Sequence, residues 1–266
     1  EVMPRVYDMP DPYKENGVDL KDFLAHFYLG GSKKIIEDTV DAIKLMDQAK
    51  NLGSIMKFDI SEQTRAALEI RVKEWRDEGN LGADVKEFLK YADIILALTD
   101  KYHALVMNPP YMGSGNMNAE LNKYVKDNYE DTKADLFSVF MDVAIDRLQQ
   151  KGKYGMINMQ SWMFLSSFEN LRKKILKEQT IDNMLHLGPR TFDELSGDIV
   201  QNVAFVLTNQ KYNKQGSIYY RLVSGRNCSE KKLMFTEGAF KYINKLQSNF
   251  AKIPGSPIGY WLSDNI

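Results

Sequence analysis

Apolar residues recur at helical spacing in three stretches of the first hundred positions. The first stretch follows Ser32, a favoured N-cap residue, and its apolar face is formed by Ile35, Ile36, Val40, Ile43 and Leu45. A second helix is predicted over residues 62–76. A third is predicted to start at Asp84, where Glu87 would complete a capping box. Residues 1–100 are therefore predicted to be mostly helical.

From residue 101 the pattern changes to short apolar runs that alternate with amphipathic stretches. The predicted strands are 102–107, 154–159, 180–187, 202–208 and 218–223. The predicted helices are 135–149, 168–178 and 231–250. This alternation favours an α/β fold built on a doubly wound sheet, in which ligands bind at the carboxyl ends of the strands.

The tetrapeptide Asn108-Pro109-Pro110-Tyr111 directly follows the first of these strands. Its chemistry suits the methylation of a planar exocyclic amine, whose lone pair is delocalised into the ring. The Asn108 side-chain oxygen and the main-chain oxygen of Pro109 can each accept a hydrogen bond from one N–H group of the amine. These two hydrogen bonds would localise the lone pair on the nitrogen. The prolines remove backbone donors that would compete for these oxygens. The Tyr111 ring can stack on a base that has left the duplex.

A turn that merely closes a strand is the structural alternative, because asparagine and proline both favour turns. At average amino-acid composition, this tetrapeptide would occur by chance in roughly one in a thousand chains of this length. The apolar strand that leads into it makes coincidence rarer still. The pattern therefore favours the functional interpretation.

Composition excludes several other classes of protein. The hydrophobic and charged fractions, 44% and 27%, are those of a globular chain, and no apolar run reaches the length of a membrane span. The N-terminus does not have the pattern of a signal peptide. The single Cys228 and three scattered histidines predict neither a disulfide nor a metal site, and we expect a cytoplasmic protein. A net charge of −1 argues against nucleic-acid binding over the whole surface, although it allows a basic patch.

Six segments carry a resemblance to a known family. The chain is similar to the γ-type amino-methyltransferases and, more specifically, resembles the adenine-specific DNA methyltransferases of BREX phage-resistance systems, the PglX type. The matching segments are 101–113, 133–137, 160–164, 186–188, 200–207 and 253–257. The likeness is close over residues 100–266 and loose over residues 1–100.

The resemblance implies part of a Rossmann-like sheet of an S-adenosylmethionine-dependent methyltransferase. The first four predicted strands would form one sheet, with the strands at 180–187 and 202–208 antiparallel and Asn108 at a carboxyl edge. It further implies a helical insertion over 1–100, a catalytic half over 101–210, and an extension toward a target-recognition domain over 211–266.

The resemblance also implies roles for individual residues. Asn108 and Pro109 would hold the amine, Pro110 would complete the catalytic motif, and Tyr111 would stack on the flipped adenine. Asp135 and Phe140 would lie near S-adenosylmethionine, although a phenylalanine at helical spacing with Leu136 and Val143 is more often a core residue. The remaining two candidates, Gly113 and Phe192, would lie on the substrate side, with Gly113 in a flexible loop.

The implied partners are double-stranded DNA with a flipped adenine and, further, other phage-defence proteins. Neither a metal nor a membrane is implied. Methylation of a protein glutamine or of an RNA base remains an alternative, as does a non-catalytic binding fragment.

The chain departs from the family pattern in one respect. The glycine-rich turn that cradles S-adenosylmethionine, and the acidic residue that holds its ribose, are absent from this sequence. We therefore predict weak binding of that donor and exposed apolar surface beside the strand at 102–107. A separate basic cluster, Arg172, Lys173, Lys174 and Lys177, predicts either a solvated helix face or contacts to DNA phosphates.

Overall fold

The computed structural model describes residues 4–15, 17–79, 81–192, 200–213 and 216–263. The chain divides into two compact units, Glu1–Asp100 and Lys101–Ile266.

The first unit is helical. Its helices are α1 (Leu20–Phe27), α2 (Lys33–Met46), α3 (Ala49–Leu52), α4 (Glu62–Glu78) and α5 (Ala83–Thr99). The predicted cap at Ser32 is confirmed, since its hydroxyl accepts a hydrogen bond from the Ile35 N–H, and α4 ends at Gly79 in the left-handed region, with φ 71°. The predicted capping box is wrong: α5 is capped by Gly82, without a side-chain hydrogen bond.

The second unit alternates strands with helices. Its strands are β1 (Tyr102–Met107), β2 (Leu148–Met159), β3 (Thr180–Gly188), β4 (Asn202–Thr208), β5 (Ser217–Arg221) and β6 (Lys241–Lys245). Its helices are α6 (Ala119–Asn128), α7 (Leu136–Arg147), α8 (Glu169–Glu178), α9 (Cys228–Thr236) and α10 (Gln247–Phe250).

All six strands form one mixed sheet in the order β1-β2-β4-β3-β5-β6. β1 and β2 are parallel, and β4 lies antiparallel between β2 and β3. The predicted α/β sheet, with its antiparallel pair, is therefore confirmed. Because β1 and β2 run in the same direction, the loop after Met107 lies at the same edge of the sheet as the end of β2.

One face of the sheet is buried under α7 and α8. Alternate strand residues enter a single apolar core with residues of the two helices, namely Tyr154, Met156, Val203, Phe205, Phe137, Met141, Leu171 and Ile175. The other face carries the outward-pointing residues of the same strands, and on β1 the Val106 side chain is 87% exposed. This exposure lies on the sheet face, so the predicted apolar surface at the free edge of β1 stays a prediction.

The segment 231–250 differs from the single helix that its apolar spacing predicts. α9 ends at Thr236, and Gly238, Phe240 and Asn244 follow with positive φ, a conformation that no α-helix can contain. β6 then pairs with β5. Edge pairing in the sheet therefore overrides the local helical pattern.

Candidate active site

The Asn108–Tyr111 loop leaves the carboxyl end of β1, as predicted. Asn108 is exposed, and its side chain has no hydrogen-bond partner among the residues that the structure describes. Pro109 is buried, whereas Pro110 is exposed and Tyr111 is half-buried. The loop thus presents a free amide group beside an anchored proline and an aromatic ring.

Asp135 joins this loop to the start of α7. Its Oδ1 atom accepts hydrogen bonds from the N–H groups of Met112, at 3.0 Å, and Phe137, at 3.2 Å. The Leu136 N–H returns a bond to the Met112 carbonyl at 2.9 Å. Burial raises the pKa of the Asp135 carboxyl, and these backbone hydrogen bonds partly offset the effect. Asp135 therefore works as an N-cap that also holds the loop.

The turn around Gly113 is bound rather than loose. Gly113 forms a bridge with Asp135, and the Ser114 N–H donates to the Ala134 carbonyl at 3.0 Å. The Asn122 amide donates to the Ser114 carbonyl at 2.6 Å. The prediction of a flexible loop at Gly113 is therefore wrong. The backbone groups of this turn are hydrogen-bonded to the neighbouring segment.

Tyr111 is held at both ends of its ring. Its hydroxyl accepts a hydrogen bond from the Asn202 amide at 2.8 Å, and its ring lies edge-on to Phe137, with centroids 6.5 Å apart and planes at 88°. Burial raises the pKa of the Tyr111 hydroxyl, and the bond from Asn202 partly offsets this. The ring is thus neutral and fixed in orientation.

Asn202 and Asn158 form a buried polar pair behind the loop. Both side chains are fully buried; the Asn202 amide donates to the Asn158 carbonyl at 3.3 Å, and the Asn158 side chain accepts from the Trp162 indole at 3.1 Å. Trp162 is therefore a core residue. Sequence reasoning missed Asn202, although an asparagine that begins an otherwise apolar strand is the kind of signal that marks a site.

A second polar group lies further along the same edge of the sheet. His186 is buried, and its Nδ1 lies 2.8 Å from the Tyr260 hydroxyl while its Nε2 lies 2.6 Å from the Gln160 side-chain oxygen. The acceptor at Gln160 requires the Nε2–H tautomer. Burial, together with the charges of Arg221 and Lys231, lowers the pKa of His186 to about 4.

Phe140 and Phe192 differ in their surroundings. Phe140 is half-buried and packs against the core of the second unit, and Phe192 is 38% exposed. Their contacts with cofactor and substrate stay predictions, as does the role of Asp135 beside the donor. The segment 193–199 that follows Phe192 lies outside the described residues.

The predicted basic face of α8 is wrong for its first member. Arg172 is 1% exposed, and its guanidinium donates to the carbonyls of Trp162, Leu165, Gly255 and Ser256 at 2.6–3.2 Å. Lys174 pairs with Asp142 at 2.6 Å, and Lys173 pairs with Glu169 at 2.7 Å. Arg172 is therefore unavailable to a phosphate, whereas phosphate contacts of Lys173, Lys174 and Lys177 stay a prediction.

Neither a metal cluster nor a membrane span occurs in the part of the chain that the structure describes. No group of three or more histidine, cysteine, aspartate or glutamate side chains there is arranged to hold a metal ion. Within the same residues, no helix has the length and apolar character needed to cross a membrane.

Together, a mixed α/β sheet and an Asn-Pro-Pro-Tyr loop at the end of its edge strand define the class of amino-methyltransferases. Residues 25–192 match the family described as Eco57I restriction-modification methylase. This match spans more than half of the chain, and the chain belongs to that family.

Two curated relatives support the more specific resemblance. The chain is 38% identical over 225 residues to the adenine-specific methyltransferase BrxX of Escherichia coli O9:H4 (strain HS), a match that covers 82% of this chain and 18% of that protein. It is 34% identical over 275 residues to the adenine-specific methyltransferase PglX of Lacticaseibacillus casei (strain Zhang), covering 99% of this chain and 22% of the relative. The chain thus spans about a fifth of the length of these relatives.

Among solved structures, a modification subunit of a putative type I restriction enzyme from Vibrio vulnificus YJ016 is 12% identical. That match covers 88% of this chain and 68% of the other, with a TM-score of 0.42.

Proposed function

We propose that this chain forms the amine-receiving part of a DNA methyltransferase that transfers a methyl group from S-adenosylmethionine to adenine N6 in a phage-defence or restriction-modification system. The observation that carries the proposal is the free, exposed Asn108 side chain beside the braced Tyr111 ring at the carboxyl end of β1. Both curated relatives are named adenine-specific methyltransferases, which supports adenine as the acceptor.

The proposed chemistry is polarisation of the amine by two acceptors. The Asn108 side-chain oxygen and the Pro109 carbonyl each accept a hydrogen bond from one N–H group of N6. The nitrogen lone pair then turns out of the ring plane toward the methyl donor. Positioning and electrostatic preorganisation are the main terms. No strong base is needed, because the methylated nitrogen is positively charged and acidic and releases its proton to water. Tyr111 stabilises the extrahelical base by stacking.

The residues present do not fit S-adenosylmethionine as a complete site. Asp135 uses Oδ1 for two backbone hydrogen bonds, and Phe140 packs on the core. Neither supplies the row of backbone amides and the ribose carboxylate that a nucleoside ligand needs in such a sheet. The role of this chain is therefore to bind the acceptor base. No step of the reaction is attributed to its residues as ligands of the donor.

The experiment expresses the complete open reading frame that contains this chain in a host lacking endogenous adenine methylation. Long-read sequencing of the host genome then reports which adenines carry an N6-methyl group. The recognition sequence does not need to be known beforehand. Asn108→Ala should lower methylation by at least about 100-fold, because it removes an acceptor aimed at the reacting amine. Tyr111→Ala should also lower it strongly, because the flipped base loses its stacking partner.

Asn170→Ala is the matched control, since among the described residues that exposed amide on α8 bonds to Asp131 on the surface. It should leave methylation unchanged, and Asn108→Ala and Asn170→Ala should keep the melting temperature of the wild type within a few degrees. Tyr111→Ala should also lower the melting temperature, because the buried Asn202 amide loses its partner. Near-wild-type methylation by Asn108→Ala would overturn these roles. Methylated protein or RNA with unmodified DNA would instead favour the alternative substrates.

A further inference from the structure

Asn202 occupies a central place in the sheet, directly behind the loop that carries Tyr111. It is the first residue of β4, paired with Met159 of β2 on one side and Gly188 of β3 on the other. Its side chain is 0% exposed. The amide nitrogen donates to the Tyr111 hydroxyl at 2.8 Å and to the Asn158 carbonyl at 3.3 Å.

The other end of this amide has no partner. Among the described residues, nothing donates to the buried Oδ1 atom of Asn202. A buried acceptor without a donor costs stability, so a side chain kept only for the fold would be expected to satisfy both ends. The bond to Tyr111 reaches out of the sheet to the candidate site, and it accounts for an amide at this position.

The geometry makes the hydroxyl an effective point at which to hold the ring. The backbone side of Tyr111 is fixed by the neighbouring bond from the Met112 N–H to Asp135, and one ring edge rests on Phe137. The hydroxyl is the ring substituent furthest from the backbone, so a bond there restricts rotation about both side-chain torsions. Small changes in the angle of a stacking surface carry large kinetic costs when a reacting group must be held in line.

We propose that Asn202 is a positioning residue that acts through Tyr111: its amide sets the orientation of the ring on which the target adenine stacks. This role rests on the proposed function. Asn202 does not touch the adenine, and its effect passes through one hydrogen bond to the tyrosine hydroxyl.

A double-mutant cycle in the complete protein tests this role, with an oligonucleotide duplex carrying the recognition site identified by sequencing. Tyr111→Phe and Asn202→Leu each delete one side of the bond. Each should lower kcat by about 3- to 10-fold, the worth of one hydrogen bond. The double variant should be no slower than the slower single variant, because both changes remove the same interaction.

Two further measurements separate positioning from a general structural defect. The KM for DNA should stay unchanged, since contacts with the duplex precede capture of the base. With 2-aminopurine at the target position, a fluorescence increase reports that the base has left the duplex stack. This increase should be smaller in the variants than in the wild type, and the variants should rank in the same order as for kcat.

Thr208→Val, at the opposite end of β4, is the matched control. Its hydroxyl donates to Asp182 at 2.7 Å and lies far along the strand from Tyr111. It should lower the melting temperature while leaving kcat unchanged. If Asn202→Leu does not fold, Asn202→Ala completes the same cycle.

Two outcomes are distinguishable. If the wild type methylates DNA but Asn202→Leu costs as much in the Tyr111→Phe background as alone, the role of Asn202 through Tyr111 is overturned and the proposed function stands. If the wild-type protein leaves DNA adenine unmodified, the proposed function falls and this role falls with it.

Discussion

At the scale of single residues, the carboxyl edge of the sheet combines a free amide at Asn108 with polar side chains that are otherwise engaged. Asn158 bonds to Trp162, and Gln160 bonds to both His186 and Gln201. Engagement of these neighbours leaves Asn108 as an exposed amide, which the proposed function uses as the acceptor for an incoming amine. Preorganisation of this kind is what a reaction with little acid–base chemistry demands.

His186 makes a residue-scale prediction about acidity. Its folded-state pKa is about 4, against an ordinary value of 6.5. Between these values the unfolded chain binds a proton that the folded chain does not, so stability is complete above pH 6.5 and falls as pH drops toward 4. The contribution has an upper bound of roughly 3 kcal/mol.

Urea unfolding of the wild type and of His186→Gln from pH 7 to pH 4 measures this effect. The free energy of unfolding of the variant should fall less steeply over that range, because glutamine does not titrate. Parallel curves for the wild type and His186→Gln would contradict the assignment.

At the scale of elements, Arg172 links α8 to two other segments of the second unit through hydrogen bonds. From α8 it reaches two carbonyls in the turns after β2 and two in the segment around Gly255. Burial lowers the pKa of its guanidinium. Its donors replace the hydrogen bonds with water that these carbonyls lose when buried.

Arg172→Met should destabilise the chain by about 3 kcal/mol or more, because several buried acceptors lose their donor at once. The loss should appear as a lower midpoint in urea unfolding. Lys173→Ala is the control on the same helix; it removes only a surface ion pair with Glu169, worth about 0–1 kcal/mol. Weaker DNA binding by Arg172→Met without any loss of stability would restore the phosphate-contact interpretation.

At the scale of the whole molecule, the second unit presents one covered and one open face of its sheet. The open face forms a shallow apolar depression of about 410 Å³, lined by residues that include Val106, Asn108, Gly155, Ile157 and Ala204. The glycine-rich turn and the ribose carboxylate that would hold a nucleoside ligand in such a sheet are absent from the sequence.

Residues 1–266 alone should therefore bind S-adenosylmethionine only at millimolar concentration or above, and should methylate nothing unaided. Isothermal titration calorimetry of this chain measures the affinity directly, with the complete open reading frame titrated in parallel as the comparison. A micromolar dissociation constant for residues 1–266 would contradict the prediction and would reveal a donor site that neither the sequence nor the fold indicates.

The sequence determined most of the periodic elements and the residues of the candidate site. β1 and β4 have the bounds that their apolar runs predict, and α4 begins at its predicted residue and stops before Gly79, because local burial pattern and capping chemistry agree there with the tertiary structure. Side-chain chemistry alone points to the Asn108–Tyr111 tetrapeptide, and its roles in polarising an amine and stacking on a base stay predictions.

Only the tertiary structure decided which distant residues support that site. Asn202 is 91 positions from Tyr111, and their hydrogen bond exists because β4 inserts antiparallel beside β2. The same holds for Arg172, whose charged side chain is buried because carbonyls 83 and 84 positions away are folded onto it. Periodicity reports which face of an element is apolar, whereas burial of a polar group depends on partners that only the folded chain brings within hydrogen-bonding distance.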